Sequence, residues 1–257
     1  MGHERVGVLP RSRQWRLIVD ELTAAAGSEA ATQQIAAATL NNVRDRFTTV
    51  EEDGGVQAAF GYLVGLTVAH LPGEGTSLVP SVDLSANPTA ISLSQELSRW
   101  VAGHSESEEY AALATRAAAD AIAYWTRRNS PQARLFQSDT PTADLWRGAA
   151  SGGTFSDLAR TFFGKFTERY LNYFLEREAS AAIPDLRARE LFATRLEGHL
   201  DTVARHAFET TKIAQSFAAG WYNKNARTAR PTDGSLREFL AFSFGKLRAE
   251  LAREARG

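Results

Sequence analysis

His199 and His206 are the side chains whose type first invites a chemical reading, and their spacing limits it. They stand on the same edge of one long helical pattern, and at ~1.5 Å of rise per residue they lie roughly 10 Å apart. That is too far to share a metal ion, which takes helical ligands at i, i+3 or i, i+4. No Glu-x-x-His occurs in the chain, so a carboxylate-bridged di-iron bundle lacks its minimum motif. What remains open to the pair is a groove between helices in which both rings reach one ligand. The chain has no cysteine, which removes disulfides, thiolate zinc sites and a cysteine nucleophile together. Gly-x-Ser-x-Gly, Gly-x4-Gly-Lys and Gly-x-Gly-x-x-Gly are absent too, and with them the nucleophile elbow, the phosphate loop and the dinucleotide fingerprint. The expectation is no metal, no cofactor, and a protein that binds rather than catalyses.

A richer surface is expected at 221–231. Trp221, Tyr222, Lys224, Arg227 and Arg230 stand close together, with no acid before Asp233. Rings that stack and cations that pair with phosphate are the parts of a single-strand nucleic-acid contact, and equally of a docking site for an acidic protein. Arg11, Arg13 and Arg16 form a second basic cluster around the expected start of a helix, where free backbone N–H groups help hold an anion.

Arg99 and His104 have the Arg-x4-His spacing of the HEPN group of all-α ribonucleases, and the resemblance is confined to those two residues. It implies that Arg99 and His104 stabilise and shuttle charge during attack of an RNA 2′-hydroxyl. The stretch from Trp15 to Phe47, with Gly27 and Gln33-Gln34-Ile35-Ala36-Ala37, loosely resembles the opening of tetracycline-repressor-type regulators. That implies a helix-turn-helix ahead of an all-α ligand domain, although the pattern runs on through Leu40, Val43 and Phe47 with no glycine turn.

The elements that must position these groups are helical. Phe155, Phe162, Phe166, Tyr170 and Tyr173 recur at helical spacing and form one aromatic stripe. Phe192, Leu196, Leu200, Val203, Ala207, Ala214, Phe217, Ala218 and Trp221 share a face in the same way. Together they predict a long antiparallel helix pair, about 154–183 and 186–223, turning at Pro184. Further helices are expected from Ser12 to Ala26, from Ser28 to Val50, from the Ser92 and Ser105 capping boxes to Ala102 and Arg128, around Leu145 and Trp146, and from Ser235 onward. No hairpin signal or fixed repeat competes with this reading, so the fold class is all-α, an irregular bundle of about nine helices.

Residues 54–73 contain no Lys, Arg, Asp or Glu, and Gly61 and Gly65 stand four apart within them. That length raises a membrane span. Gln57, Thr67 and His70 inside it, Pro72 at its end and the lack of flanking basic clusters favour a buried central helix instead, so membrane contact is not expected. Residues 71–91, with Pro72, Gly73, Gly75, Pro80 and Pro88, read as a lid, a contact arm or an irregular packing segment.

Composition is that of an ordinary globular protein: 44% hydrophobic and 23% charged residues, with a net charge of −1 that offers no general attraction to nucleic acid or acidic membranes. Of 29 basic residues only Lys165, Lys212, Lys224 and Lys246 are lysines. The first 30 residues are interrupted by charge and have no apolar run of signal-peptide length, so a cytoplasmic location is expected. Two helical subdomains, 1–128 and 141–257, are expected around a connector at 129–140. The function expected from these features is that of a non-catalytic subunit or adaptor with a protein partner. Nucleic-acid binding through 221–230 is the alternative, followed by a ribonuclease-like enzyme or a membrane-active helical effector.

Overall fold

The structure is a computed structural model that describes residues 49–105, 108–129, 141–182, 185–209 and 212–254. The helices expected over 12–26 and 28–50, Arg11, Arg13, Arg16 and the regulator-like stretch lie outside the described residues, except for its end at Val50. After a 3-10 turn at Val50–Glu52, eight α-helices follow: α1 (Gly54–Thr67), α2 (Ala90–Ala102), α3 (Glu108–Asn129), α4 (Thr142–Arg147), α5 (Gly152–Ala182), α6 (Leu186–Glu209), α7 (Lys212–Asn225) and α8 (Asp233–Glu254). Among the described residues there is no strand, and the protein is an all-α bundle.

Helix α1 is the centre. Asp53 caps it by accepting from the Val56 amide at 3.0 Å, and every residue from Gly55 to Thr67 is buried. A helix that is apolar all round belongs inside others, and α1 packs against α2, α3, α4 and α8. Phe60 sits within 5.2 to 6.2 Å, centroid to centroid, of Phe155, Phe162, Phe163 and Phe239. Its buried Gln57 is satisfied on both sides, donating to the Glu51 carbonyl at 2.8 Å and accepting from Arg237 Nε at 3.1 Å. The helix stops at Thr67 rather than continuing to residue 73. Turns closed by Ala69 N–H to the Leu66 carbonyl and Leu71 N–H to the Val68 carbonyl unwind it, and Gly73 then takes a positive φ of 104°. Among the described residues no helix is long and apolar enough to cross a membrane.

Helix α5 runs between α3 on one side and α6 and α7 on another. Phe155, Phe162, Phe166 and Tyr170 of its stripe are fully buried, whereas Tyr173 is 37% exposed. Phe163 is buried as well, edge-on to Phe244 at 4.9 Å, so the stripe is wider than one face. The return pattern is described as two helices, α6 and α7, with residues 210–211 between them outside the described set. Phe192 and Ala218 are buried, while Leu186 and Leu191 of α6 are exposed. The side chains of Leu196, Leu200, Val203, Ala207 and Ala214 lie outside what is described.

Two helix caps lie three residues ahead of the serines at which those helices were expected to begin. Thr89, not Ser92, caps α2, accepting from the Ser92 amide at 3.2 Å. Thr232 accepts from the Ser235 amide at 3.2 Å, and α8 begins at Asp233. In both places a threonine precedes the expected serine by three residues and takes the capping role, turning that serine into a first-turn residue. Buried side chains from both sides of 129–140 join one hydrophobic cluster, in which Trp125 of α3 lies 6.3 Å from Trp146 of α4.

Candidate binding cleft

The segment after α1 is irregular because its own backbone is what packs. A Cβ at Gly61 would meet the Leu78 carbonyl oxygen at 2.0 Å, and one at Gly65 the Pro80 carbonyl oxygen at 2.8 Å. The two glycines of the small-xxx-small pair therefore open a groove on α1 that admits an extended chain, not a second helix. Leu78, Val79, Val82 and Leu84 are buried along it.

Two residues near α8 hold this segment down. The Asp233 carboxylate accepts from Thr76 Oγ1 at 2.6 Å, from the Leu78 amide at 3.1 Å and from Ser77 Oγ. Burial pushes the Asp233 carboxyl upward, but these three hydrogen bonds and the nearby Arg237 outweigh it and hold the group below its ordinary 3.8. Arg230 donates to the Pro80 carbonyl at 3.1 Å, the Leu71 carbonyl at 3.5 Å and Ser81 Oγ at 3.3 Å.

Between this tethered segment and α2 lies an open cleft of about 580 Å³, within the usual range for small-molecule sites. Tyr62 of α1 contributes to its lining, Thr76, Pro80, Ser81, Val82 and Asp83 come from the segment, and Glu96, Arg99 and Trp100 come from α2. The α2 residues are at i, i+3 and i+4 and so share a face. Tyr62 donates its hydroxyl proton to Glu96 Oε2 at 3.1 Å. Burial first, then the Glu96 carboxylate, raises the Tyr62 pKa far above that of a free phenol, with Arg99 acting weakly the other way. The hydroxyl is thus a permanent neutral donor, and Glu96 keeps acceptor capacity to spare. Arg99 is exposed and forms no ion pair or hydrogen bond among the described residues. Asp83 turns its carboxylate onto the Ser85 amide at 2.8 Å, which holds its pKa below the ordinary value. Thr76 Oγ1 is committed, donating to Asp233 and accepting from the Val79 amide at 3.0 Å. A smaller cavity of about 250 Å³ lies on the other side of Val82 and Asp83, next to His70 and Arg147.

The cleft includes Arg99 but not His104. The His104 ring lies 4.2 Å from the Trp100 ring, and its Nδ1 is 2.7 Å from the Trp100 carbonyl oxygen. Of the two members of the ribonuclease-like spacing, only Arg99 lines the cleft, and His104 packs on Trp100, which lines it too. The loop at 221–230 is divided as well. Trp221 is 6% exposed and Tyr222 fully buried, both against Phe155 at centroid distances of 5.4 and 4.9 Å. Trp221 Nε1 donates to the Ser235 carbonyl at 2.9 Å, and the Tyr222 hydroxyl to the Thr67 carbonyl at 3.3 Å. Neither ring is available to stack on a nucleotide, because Trp221 fills the joint of α7 with α5 and α8, and Tyr222 that of α7 with α5 and the end of α1. Lys224 and Arg227 are exposed, and Arg230 is spent on the 71–81 backbone. His199 and His206 lie on α6, and their side chains are outside what is described.

Tyr62, Glu96 and Ser81 were not legible as site residues in the sequence. The one signal is the Glu96, Arg99, Trp100 triplet on a single helical face following a proline- and glycine-rich segment. No protein-family model, no curated protein and no solved structure matches this chain.

Proposed function

We propose that this protein acts by binding, as the non-catalytic, ligand-carrying subunit or adaptor of a larger assembly, and that its ligand enters the cleft between residues 75–83 and α2. The observation that supports the reading is the state of the polar groups at the cleft. The Tyr62 hydroxyl already donates to Glu96, and the Thr76 hydroxyl spends its proton on Asp233 and accepts from the Val79 amide. Among the described residues Glu96 retains an acceptor lone pair and Arg99 all its donors, which suits holding a ligand in place more than moving a proton. The wall is also pre-formed, because Asp233 and Arg230 fix the segment from behind and spare a ligand the cost of ordering it.

The test is a two-dimensional amide spectrum of the full chain titrated with a small-molecule extract of the native host. Shifts concentrated at residues 75–83 and 96–100 support the cleft. Shifts confined to other parts of the molecule overturn it. A tagged pull-down with and without nuclease tests the assembly: a stoichiometric protein partner that survives nuclease supports it, and a bare, monodisperse protein counts against it.

A further inference from the structure

We infer that the cleft recognises a free α-amino acid with a large apolar or aromatic side chain, its ammonium on Glu96 and its carboxylate on Arg99. The inference rests on the cleft being the binding site and adds the ligand class. Glu96 and Arg99 stand one helical turn apart on the same face of α2, where side-chain origins are about 5–6 Å apart. A free amino acid carries its two opposite charges on one carbon and so presents them at matching proximity. A peptide separates them along its length and does not.

The two protein charges are unequally placed, and that sets the orientation. Glu96 is half-buried and held by the Tyr62 hydroxyl at 3.1 Å, so its free lone pairs are aimed by a fixed partner. Arg99 is exposed at the rim with no partner among the described residues. The ammonium therefore goes to the deeper carboxylate and the carboxylate to the rim guanidinium, where a planar fork can take both oxygens. Asp83, the other carboxylate of the lining, faces the Ser85 amide and leaves Arg99 to the ligand. Pro80, Val82 and the Trp100 ring form the apolar part of the lining, beside the hydroxyls of Thr76 and Ser81, and supply burial for a side chain.

The experiment is a titration of the full chain, followed by amide shifts and calorimetry, with L-phenylalanine, phenethylamine and 3-phenylpropionate. The last two each lack one charge. Glu96→Gln keeps an acceptor for Tyr62 and Arg99→Gln is on the surface, so both variants are expected to fold. The expected result is that wild type prefers L-phenylalanine to either analogue by about tenfold or more. Arg99→Gln then loses about tenfold for L-phenylalanine and leaves phenethylamine unchanged, whereas Glu96→Gln loses for both. Unchanged L-phenylalanine affinity in both variants overturns the assignment. Shifts at 75–83 and 96–100 with host extract but none with L-phenylalanine overturn the ligand class and leave the cleft standing, whereas shifts with neither overturn both.

Discussion

The Cα of Gly61 and the carbonyl oxygen of Leu78 approach so closely that a Cβ at Gly61 would lie 2.0 Å from that oxygen. Helix α1 and the segment that walls the cleft therefore touch backbone to backbone, and neither can yield without moving the other.

Gly61→Ala is expected to destabilise the fold by about 3 kcal/mol, at the upper end of ordinary overpacking, because the obstructing atom is main chain and cannot rotate away. Gly220→Ala is the control. Nothing lies within 4 Å of a Cβ there, the residue sits inside α7, and the change should stabilise by about 0.5–1 kcal/mol. Urea unfolding of the two variants gives opposite shifts in midpoint if the contact is as described.

Asp233→Asn should cost about 1–2 kcal/mol, since the amide cannot accept from all three of Thr76, Ser77 and the Leu78 amide. The wild-type carboxyl titrates below 3.8 when folded, so its contribution is complete above that pH and disappears as pH falls through the lower folded value. Asn removes that dependence, and acid-unfolding curves of the two proteins should converge at the lowest pH. Curves that stay parallel would falsify the tether.

Arg230 and its neighbours differ in role despite equal charge. Arg230→Ala should destabilise by about 1–3 kcal/mol, because it strips donors from the partly buried carbonyls of Pro80 and Leu71. Lys224→Ala with Arg227→Ala should leave stability within about 0.5 kcal/mol, as both are exposed. Thermal melts compare the two, and a larger loss from the double variant would contradict the assignment.

Trp221→Ala is expected to cost about 3–5 kcal/mol, the range for emptying a buried aromatic site, as it abandons rings on Phe155 and Phe239 and orphans the Ser235 carbonyl. A surface tryptophan poised for nucleic acid would cost far less, so denaturant midpoints separate the two placements.

Alkaline stability should fall above pH 10. Burial raises the pKa of both Tyr62 and Tyr222, with the Glu96 carboxylate adding to it at Tyr62, while unfolded tyrosine ionises at 10.0. The unfolded state loses its protons first, so stability is full below 10 and declines as pH rises past it. Tyr62→Phe removes one of the two contributions, and its melting temperature should decline less steeply than wild type across pH 10.

Helical periodicity alone determined the class of this protein. Phe155, Phe162, Phe166 and Tyr170 were legible as buried because a period of 3.6 residues puts them on one side whatever they meet, and the polar residues and Pro72 within the charge-free run at 54–73 favoured a central helix over a membrane span. Local chemistry was less decisive where two candidates competed. Thr89 and Ser92, or Thr232 and Ser235, are all capping types, and in the folded chain the threonine takes the cap each time although serine is the slightly better cap. The site was legible only in Arg99 and the 71–91 segment. Trp221 reads both as the end of an apolar helical face and, with Tyr222, as part of a basic surface loop, and only tertiary packing decides: Phe155 and Phe239 close over Trp221, and Phe155 over Tyr222. Tyr62 and Glu96 are 34 residues apart, and their pairing depends on the 71–84 segment folding back into the groove at Gly61 and Gly65. That fold-back is fixed by Asp233 and Arg230, about 150 residues further on, and contacts of that range exist only once the chain has closed.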